Sequence, residues 1–430
     1  MNSRVGPAHP SPDKTGPRAK GLGDRLWKPS SWGDQMITHP EPSWHGADPD
    51  EPDFRATIHE RYRHLRNIAP VSLTPQGGWR LCRHADCVRL LKHTNVGVRT
   101  TEGALPLADE SKMPRLFMLE QDPPNHGRLR KTVARYFTPK AMGKLHIRVR
   151  EITEELMDSV DPGEFDLMKT LAVALPTAVI CEMMGVPAQD RVIFTEWTDD
   201  MTYFLLGKAA TEKQQSRAAA AVTRMMEYLT ARIQERQHSD GEDLISVLVQ
   251  AEGDERLSHM ELLWQCMGLI LAGFETTTGL IGNGVRQLLL HPREVARLKE
   301  QPELLQSAVE ECLRFDPPIL ATARFLHEEA EFGGYRLPVN TRVTAILAAA
   351  NRDPEVFDYP DRFDIGRDPN LHLSFGGGPH ICLGAFLAKL EAREAVGCLF
   401  RRFPNLQLVD DEQKWTGSLF RTLAQLPVKT

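Results

Sequence analysis

Cys382 is the residue whose setting in this chain best suits chemistry. It lies in the stretch FGGGPHICLG of residues 375–384, where three successive glycines let the backbone turn sharply and approach a flat object closely. Pro379 stiffens the exit from the glycines, and residues 383–400, rich in Ala, Leu, Glu and Lys, predict a helix. The sulfur is therefore expected near a helix N-terminus, where a thiolate is favoured as a ligand or a nucleophile.

Other interpretations of this loop leave the role of Cys382 open. A lone cysteine is more often a small buried apolar residue than a reactive group. The glycines are not followed by the Gly-Lys-Ser or Gly-Lys-Thr of a phosphate-binding loop. A zinc site fits poorly, because His380 and Cys382 have no paired Cys or His at ligand spacing nearby.

A second candidate lies inside the longest predicted helix. Ser258 and Glu261 form a capping box, and the pattern then runs without proline to residues 291–292. A helix of about 32 residues is roughly 48 Å long, which is enough to cross the whole molecule. Groups near its middle are therefore expected at the centre of the fold.

The middle of that helix, LAGFETTT at residues 271–278, places a carboxylate and hydroxyls among apolar residues. Such groups are costly to bury unless they are hydrogen-bonded or used. Thr276 is expected to bond to the carbonyl of Ala272 and bend the helix, and Gly273 leaves room beside the backbone. Two interpretations stay open: a kinked core helix with a satisfied Glu275, or a polar groove for water, oxygen or proton transfer.

The elements that must position these groups are mostly helical. Helices are predicted at about 54–69, 84–92, 126–136, 140–159, 165–184, 188–206, 211–237 and 241–252. Strands are predicted at 71–73, 78–81, 330–336, 342–350 and around 406–430. The pattern predicts a mainly α fold with a smaller β portion, organised as one large helical domain over residues 51–430.

The first 50 residues differ from the rest. They hold eight prolines and show no periodic apolar pattern, which predicts an extended, partly disordered arm. Trp27, Trp32 and Trp44 indicate that part of this arm lies against the body.

Composition bounds the class of protein. The chain has 430 residues, a net charge of -6 and 41% hydrophobic residues, which fits a soluble globular protein and argues against a nucleic-acid partner. Its seven scattered cysteines favour a reducing compartment, so a cytoplasmic location is expected. No secretory signal pattern opens the chain, and polar residues interrupt the apolar run 262–281, so no membrane association is expected.

Four stretches in this order resemble the cytochrome P-450 superfamily, the haem-thiolate monooxygenases. Residues 375–384 resemble its haem-binding loop and residues 272–277 its oxygen-activation motif. Residues 311–314 resemble its E-x-x-R helix, and residues 360–363 the segment whose arginine completes a Glu/Arg network. E-x-x-R alone carries little weight, because such a pair is usually a solvated surface contact. The haem loop is specific, and the resemblance runs from about residue 54 to the C-terminus.

The resemblance implies that Cys382 is the metal ligand, the axial thiolate of haem b. The implied partners of the haem carboxylates are His126, Arg130, Arg324 and His380. The implied contacts with the ring are Ala272, Gly273, Phe375, Gly376 and Gly384. His126 and Arg130 are four residues apart and so share a helix face, as a two-point clamp requires, although each on its own reads as surface charge.

The resemblance also implies catalytic and structural roles. Glu275 and Thr276 resemble the acid–alcohol pair that delivers protons during oxygen activation, although many members of the family have Asp where this chain has Glu275. Glu311, Arg314 and Arg362 resemble the structural network beneath the haem.

The substrate is expected above the haem, between the long helix and residues 97–120, 188–210, 317–322 and 417–420. The residues expected to wall it are Leu105, Met201, Phe204, Ile319, Leu320 and Phe420. Their apolar character implies a hydrophobic substrate of small to medium size, although each also suits ordinary core.

The reaction implied is insertion of one oxygen atom from O2 by hydroxylation or epoxidation. Electrons are expected from a separate ferredoxin with its reductase, docked on a basic face of Arg128, Lys131, Arg135 and Lys389. Two alternatives remain. One is peroxide-driven or coupling chemistry at the same haem, which the intact Glu275 and Thr276 disfavour. The other is a non-catalytic haem protein that senses gas or carries electrons.

Overall fold

Most of the described chain is helical. A computed structural model describes residues 40–49, 51, 53–105, 115–206, 210–238, 240–251, 256–410, 412, 414–416 and 420–430, the side chains of 204–206 excepted. Its helices are α1 (Phe54–Ile68), α2 (His84–Lys92), α3 (Asn125–Ala134), α4 (Pro139–Asp158), α5 (Ala174–Met183), α6 (Arg191–Leu206), α7 (Glu212–Arg236), α8 (Leu244–Val249), α9 (His259–Leu290), α10 (Pro292–Glu300), α11 (Leu305–Phe315), α12 (Leu347–Ala350) and α13 (Ala385–Arg402). The predicted mainly α fold is confirmed.

Short strands make up the smaller β portion. They are β1 (Val71–Leu73), β2 (Trp79–Leu81), β3 (Val96–Gly97), β4 (Glu164–Asp166), β5 (Thr322–Leu326), β6 (Ala330–Phe332), β7 (Tyr335–Leu337), β8 (Arg342–Ala345), β9 (Gln407–Leu408) and β10 (Pro427–Lys429). The largest sheet has the order β1-β2-β8-β5-β3, with β2 and β8 parallel. The hairpin predicted for β1 and β2 is confirmed, with Val71 opposite Leu81.

Helix α9 crosses the core as predicted. Ser258 Oγ accepts the N–H of Glu261 at 3.2 Å, and the Glu261 carboxylate accepts the N–H of Ser258 at 2.9 Å, which completes the capping box. Most residues between Leu262 and Leu288 are buried. Helices α5, α11 and α13 pack against α9. Most of α9 is therefore enclosed by other helices, although Ala272 is exposed and Thr276 is half-buried.

The prediction of one helix over residues 165–184 is wrong. Strand β4 pairs with β10, with Phe165 opposite Val428, and a π-helical turn at Met168–Ala172 precedes α5. Asp166 Oδ1 accepts the N–H of Met168 at 3.1 Å and that of Leu426 at 2.8 Å. The strand partner lies near the other end of the chain, so the local pattern carries no sign of it.

Part of the predicted N-terminal arm lies against the body. Arg80 Nη2 donates to the carbonyls of Ser43 at 3.1 Å and Trp44 at 3.2 Å, and its guanidinium lies 5.1 Å from the centre of the Trp44 ring. Trp27 and Trp32 lie outside the described residues. The division of the chain at residue 50 stays a prediction.

Candidate functional site

The loop before α13 needs glycine at two positions. Gly376 has a φ of +70° and Gly378 a φ of +65°, the left-handed region that glycine adopts most easily. A Cβ at Gly378 would also overlap the carbonyl oxygen of Leu91 in α2. The N–H of Cys382 donates to the carbonyl of Phe375 at 2.9 Å and closes the loop.

Cys382 differs from the other cysteines because it is exposed, whereas the other six are buried. Nearby protein atoms still remove part of the hydration of the sulfur and raise the pKa of its thiol above the usual value, against the favoured thiolate expected from the helix N-terminus. The N–H of Gly384 and the charge of Arg130 oppose that rise. An exposed thiol directly before a helix is placed as a ligand or nucleophile rather than as a core residue.

Groups able to carry positive charge cluster near this loop. The rings of His126 and His380 stack with their centroids 4.0 Å apart. Burial lowers the pKa of His126, and the charge of Arg130 lowers it further. Burial also lowers the pKa of His380 to about 3, with additional effects from His126, Arg324 and Arg130. All four predicted carboxylate partners are therefore close enough to affect one another. The two guanidinium groups supply positive charge and the neutral imidazoles can donate an N–H, which suits an anion.

The middle of α9 faces open space, although most of that helix is buried. Ala272 is exposed and Gly273 and Thr276 are half-buried, whereas Leu271 and Phe274 are buried. Thr276 Oγ1 donates to the carbonyl of Ala272 at 2.7 Å, the bond expected from the sequence. The Ala272 face of the helix is therefore left uncovered by other parts of the described chain.

Glu275 lies on a different side of α9 from Thr276. Its side chain is buried, with 7% of the residue exposed, and its charge raises the pKa of Arg55, which burial and Arg421 lower. Arg55 Nη1 donates to the carbonyl of Phe420 at 3.0 Å. The carboxylate therefore lies within the electrostatic reach of α1 and the C-terminal segment.

A completely buried ion pair supports the segment before the cysteine loop. Arg314 Nε and Nη2 donate to the two carboxylate oxygens of Glu311 at 2.7 and 2.8 Å. Arg314 Nη1 also donates to the carbonyls of Asn351 and Pro360 at 2.9 and 2.8 Å. This bidentate pair holds residues 351–360 against α11.

The third arginine of this network is Arg367, so the contact predicted for the Arg362 side chain is a wrong assignment. Arg367 Nε lies 3.2 Å from Glu311 Oε2. The Arg362 side chain is 65% exposed and lies 4.0 Å from Asp364; only its carbonyl accepts from Arg314. Residues 360–363 contact Arg314 through the carbonyls of Pro360 and Arg362, and the chain then turns and brings a later arginine to Glu311.

An apolar pocket lies beside the first half of α9. Its lining consists of Phe117, Leu119, Glu120, Met201, Val222, Trp264, Met267, Gly268 and Leu271. The four α9 residues recur at i, i+3, i+4 and i+7, and so share one face of the helix. Four residues further along this face is Glu275, so the pocket and Glu275 lie on one side of α9, whereas Thr276 lies on the open side.

The residues predicted to surround the substrate do not all line this pocket. Of its six members, Met201 lines this pocket, and the side chain of Phe204 lies outside the described residues. Ile319 packs against the core of the largest sheet and Leu320 against the core around α1. Leu105 is half-buried and Phe420 is buried, and neither belongs to this lining. The sequence predicted the long helix as one wall of the substrate site but not these four α9 residues, although their helical spacing was the available signal.

Two classes of site are not found in the described ranges. No group of three or more His, Cys, Asp or Glu side chains converges there to hold a metal ion. None of the described helices is long and apolar enough to cross a membrane.

The chain is similar to proteins of one family. The family described as Cytochrome P-450 matches residues 81–420. Cytochrome P-450 monooxygenase PikC of Streptomyces venezuelae is 39% identical over 390 residues, 88% of this chain and 92% of PikC. Vitamin D(3) 25-hydroxylase of Pseudonocardia autotrophica is 39% identical over 391 residues, 87% of this chain and 94% of the hydroxylase. The structure of the bacillaene polyketide synthase cytochrome PksS of Bacillus subtilis 168 has a TM-score of 0.81 and 33% identity, and covers 89% of this chain and 99% of PksS.

The family match extends over most of the chain, and each of these relatives is covered almost completely. The chain therefore belongs to the cytochrome P-450 family, and it is a haem-dependent monooxygenase, an oxidoreductase.

Proposed function

We propose that this enzyme holds haem b through the thiolate of Cys382 and uses O2 to hydroxylate or epoxidise a hydrophobic small molecule. The observation that carries the proposal is the exposed thiol of Cys382 in a glycine loop beside the cations Arg130 and Arg324 and the imidazoles of His126 and His380. When bound, haem supplies the dioxygen and one-electron chemistry that side chains lack, and a thiolate ligand favours O–O cleavage.

The residues present fit a flat cofactor with two carboxylates. Nδ1 of His380 is buried without a hydrogen-bond partner among the described residues. The nearby carboxylate of Asp122 lies 4.0 Å from His380 Nε2, and its oxygens already accept the N–H groups of Val98 and Arg99. The haem carboxylates would therefore complete the charge balance of the cluster. Of the three glycines before Cys382, Gly377 and Gly378 face Leu91 in α2, and Gly376 leaves space on the other side of the loop.

Thr276 is suited to stabilise a proton-bearing group on the open side of α9. Its hydroxyl proton is directed at the carbonyl of Ala272, at 2.7 Å, so Oγ1 presents lone pairs to other donors. We assign Glu275 the role of holding and passing a proton, because it is a buried carboxyl whose charge is coupled to that of Arg55. The two residues are adjacent in sequence but act from different sides of the helix.

The apolar pocket beside α9 supports a hydrophobic substrate. Its walls are mostly aliphatic and aromatic, which excludes water and favours apolar ligands. The charged member of the lining, Glu120, is paired with Arg115 at 2.7 Å, so its charge is compensated. The α9 part of its lining ends at Leu271, directly before Ala272 on the open face.

A separate ferredoxin with its reductase is the proposed electron source. The basic face expected for its docking is less positive than its sequence implied, because Arg128 pairs with Glu261 and Lys389 pairs with Glu310 at 2.9 Å. Lys131 in α3 and Arg135 directly after it are the positions at which the docking of this face is tested. Charge reversal at these two positions should raise the concentration of ferredoxin needed for half-maximal reduction, and this effect should weaken as salt is added.

The absorption spectrum of the reduced protein with carbon monoxide tests the haem assignment. We expect the red-shifted Soret band of a thiolate-ligated haem, lost in Cys382→Ser and retained in the control Cys398→Ser, whose sulfur lies 3.3 Å from Glu154. A histidine-type Soret band in the wild type, or purified protein that binds no haem, would overturn the proposal. The pyridine haemochrome spectrum identifies the haem type.

A further inference from the structure

Gln265 is an amide buried in α9. It is 0% exposed, and both ends of its side chain bond to one neighbouring segment. Oε1 accepts the N–H of Met118 at 3.1 Å, and Nε2 donates to the carbonyl of Leu116 at 2.8 Å. Because an unpaired buried amide is costly, residues 116–118 are most stable where they satisfy both ends of Gln265.

Phe117 lies between these two anchor points. Its ring packs so closely on Gly268 that a Cβ at that glycine would overlap it. Phe117 and Gly268 both line the apolar pocket. Helix α9 therefore supplies the amide that holds the Phe117 backbone and, three residues later, the gap that receives its ring.

The outer side of the same segment is also held. Arg99 Nε donates to the carbonyl of Glu120 at 2.7 Å, and Arg99 Nη2 donates to that of Arg115 at 3.2 Å. Gln121 Nε2 donates to the carbonyl of Arg115 at 2.6 Å. Residues 115–121 are therefore anchored on two sides, and Gln265 provides the anchors nearest to the pocket.

We propose that Gln265 is a positioning residue that holds Phe117 as the wall limiting the length of the apolar ligand. The inference rests on the proposed function, because it concerns the same pocket. Gln265 acts through Phe117 and is not part of the pocket lining. When its two hydrogen bonds are lost, the ring is free to leave Gly268, and longer ligands enter.

The test uses the haem-loaded full chain and 1-alkylimidazoles of increasing length, whose ring nitrogen binds haem iron and shifts the absorption spectrum. Wild-type protein should bind ligands with longer alkyl chains more tightly up to a cut-off length of the alkyl chain, and more weakly beyond that length. Gln265→Leu and Phe117→Ala should both move the cut-off to longer chains and tighten binding of the longest ones by about tenfold, the effect of about two buried methylenes. A cut-off that does not move in Gln265→Leu overturns the proposal.

Amide hydrogen exchange at Met118 gives a second readout that needs no ligand. Gln265→Leu removes the acceptor of this N–H, so its exchange should accelerate by about tenfold or more. Unchanged exchange would show that Gln265 does not anchor the segment. Because this measurement is independent of Cys382 ligation, it separates a failure of this inference from a failure of the haem assignment.

Gln265→Glu keeps the shape of the side chain and provides a rescue. The ionised carboxylate still accepts from Met118 but cannot donate to Leu116, whereas the protonated carboxyl can do both. At high pH the alkyl-chain cut-off of Gln265→Glu should therefore be longer than that of wild type measured at the same pH. As the pH falls, it should return to the wild-type cut-off. The proposal is contradicted if the cut-off of Gln265→Glu exceeds that of wild type at every pH. It is also contradicted if the two cut-offs are equal at every pH.

Gln287→Leu is the matched control, because Gln287 is also a buried α9 amide. It donates to Asp316 Oδ2 at 2.9 Å and is absent from the pocket lining. Replacing Gln287 by Leu should leave the alkyl-chain cut-off and the exchange rate of the Met118 amide hydrogen unchanged. An equal shift in this variant would attribute the effect to general loosening of α9 and overturn the assignment to Gln265.

Discussion

His59 Nε2 lies 3.1 Å from Asp316 Oδ1, and this contact joins α1 to the end of α11. Arg421 Nε donates to the same oxygen at 2.6 Å, and Gln287 Nε2 donates to the other. Burial favours a higher pKa for Asp316, but Arg421 and His59 outweigh it and hold that pKa well below its usual range. The Asp316 carboxylate therefore links the first helix, the central helix and the C-terminal segment.

Acid should destabilise the protein through His59. Burial, followed by the charge of Arg352, lowers its pKa from 6.5 to about 4. The unfolded chain binds a proton at this histidine between about pH 6.5 and pH 4 and the folded chain does not, so stability is complete above pH 6.5 and falls with pH across that window. At pH 5 the loss should be about 2 kcal/mol.

Urea unfolding at several pH values measures this effect. His59→Gln keeps a donor for Asp316 and removes the titration, so its stability should change less between pH 7 and pH 5. His238→Gln, at an exposed position, should retain the wild-type slope. An unchanged slope in His59→Gln would show that the acid sensitivity arises elsewhere.

Arg367→Gln should destabilise the fold far more than Arg362→Gln. The first change removes a guanidinium 3.2 Å from the completely buried Glu311 and should cost about 3 kcal/mol. The second removes a side chain that is 65% exposed and should cost less than about 0.5 kcal/mol. Urea denaturation of the two variants compares them directly. Equal losses would contradict the assignment of the third arginine to position 367.

Thr276→Ala should uncouple the consumption of electrons from the formation of product. Without Oγ1 the open face of α9 loses a polar group that stabilises a proton-bearing partner, so more hydrogen peroxide should form per reduced nicotinamide consumed, with a surrogate ferredoxin and reductase. Thr278→Ala is the control, because Thr278 is buried and its hydroxyl donates to the carbonyl of Phe274 at 3.0 Å. A similar peroxide yield in the two variants would remove the proposed role of Thr276.

Gly378→Ala should disrupt the cysteine loop. The substitution combines a φ of +65° with overlap of a Cβ on the carbonyl oxygen of Leu91, and should cost more than about 2 kcal/mol. Gly127→Ala lies in α3 where a Cβ meets open space, and should stabilise the chain by about 0.5 kcal/mol or more. Thermal unfolding and haem retention report both changes. Wild-type haem retention in Gly378→Ala would show that the loop tolerates a side chain there.

Local features of the sequence were predicted well. The capping box of Ser258 and Glu261, the bounds of α9 and the bond from Thr276 to Ala272 involve residues within a few positions of one another. Their geometry follows from helix periodicity and side-chain chemistry alone. The roles assigned to Cys382, Glu275 and Thr276 come from the resemblance and stay predictions until they are measured.

Contacts between distant segments could not be predicted. The pairing of β4 with β10 replaced the start of a predicted helix, and Arg367 took the place expected for Arg362. Both outcomes depend on where the chain returns after many residues, which local patterns do not encode.

The sequence by itself determined the family, the mainly helical fold, and the loop that presents Cys382, because glycine spacing and helical periodicity are local properties. Only the tertiary structure decided which arginine completes the Glu311 network and that Gln265 holds Phe117 over Gly268. Those contacts require segments far apart in the chain to pack at fixed distances. Burial and hydrogen bonding select them only once the whole core has formed.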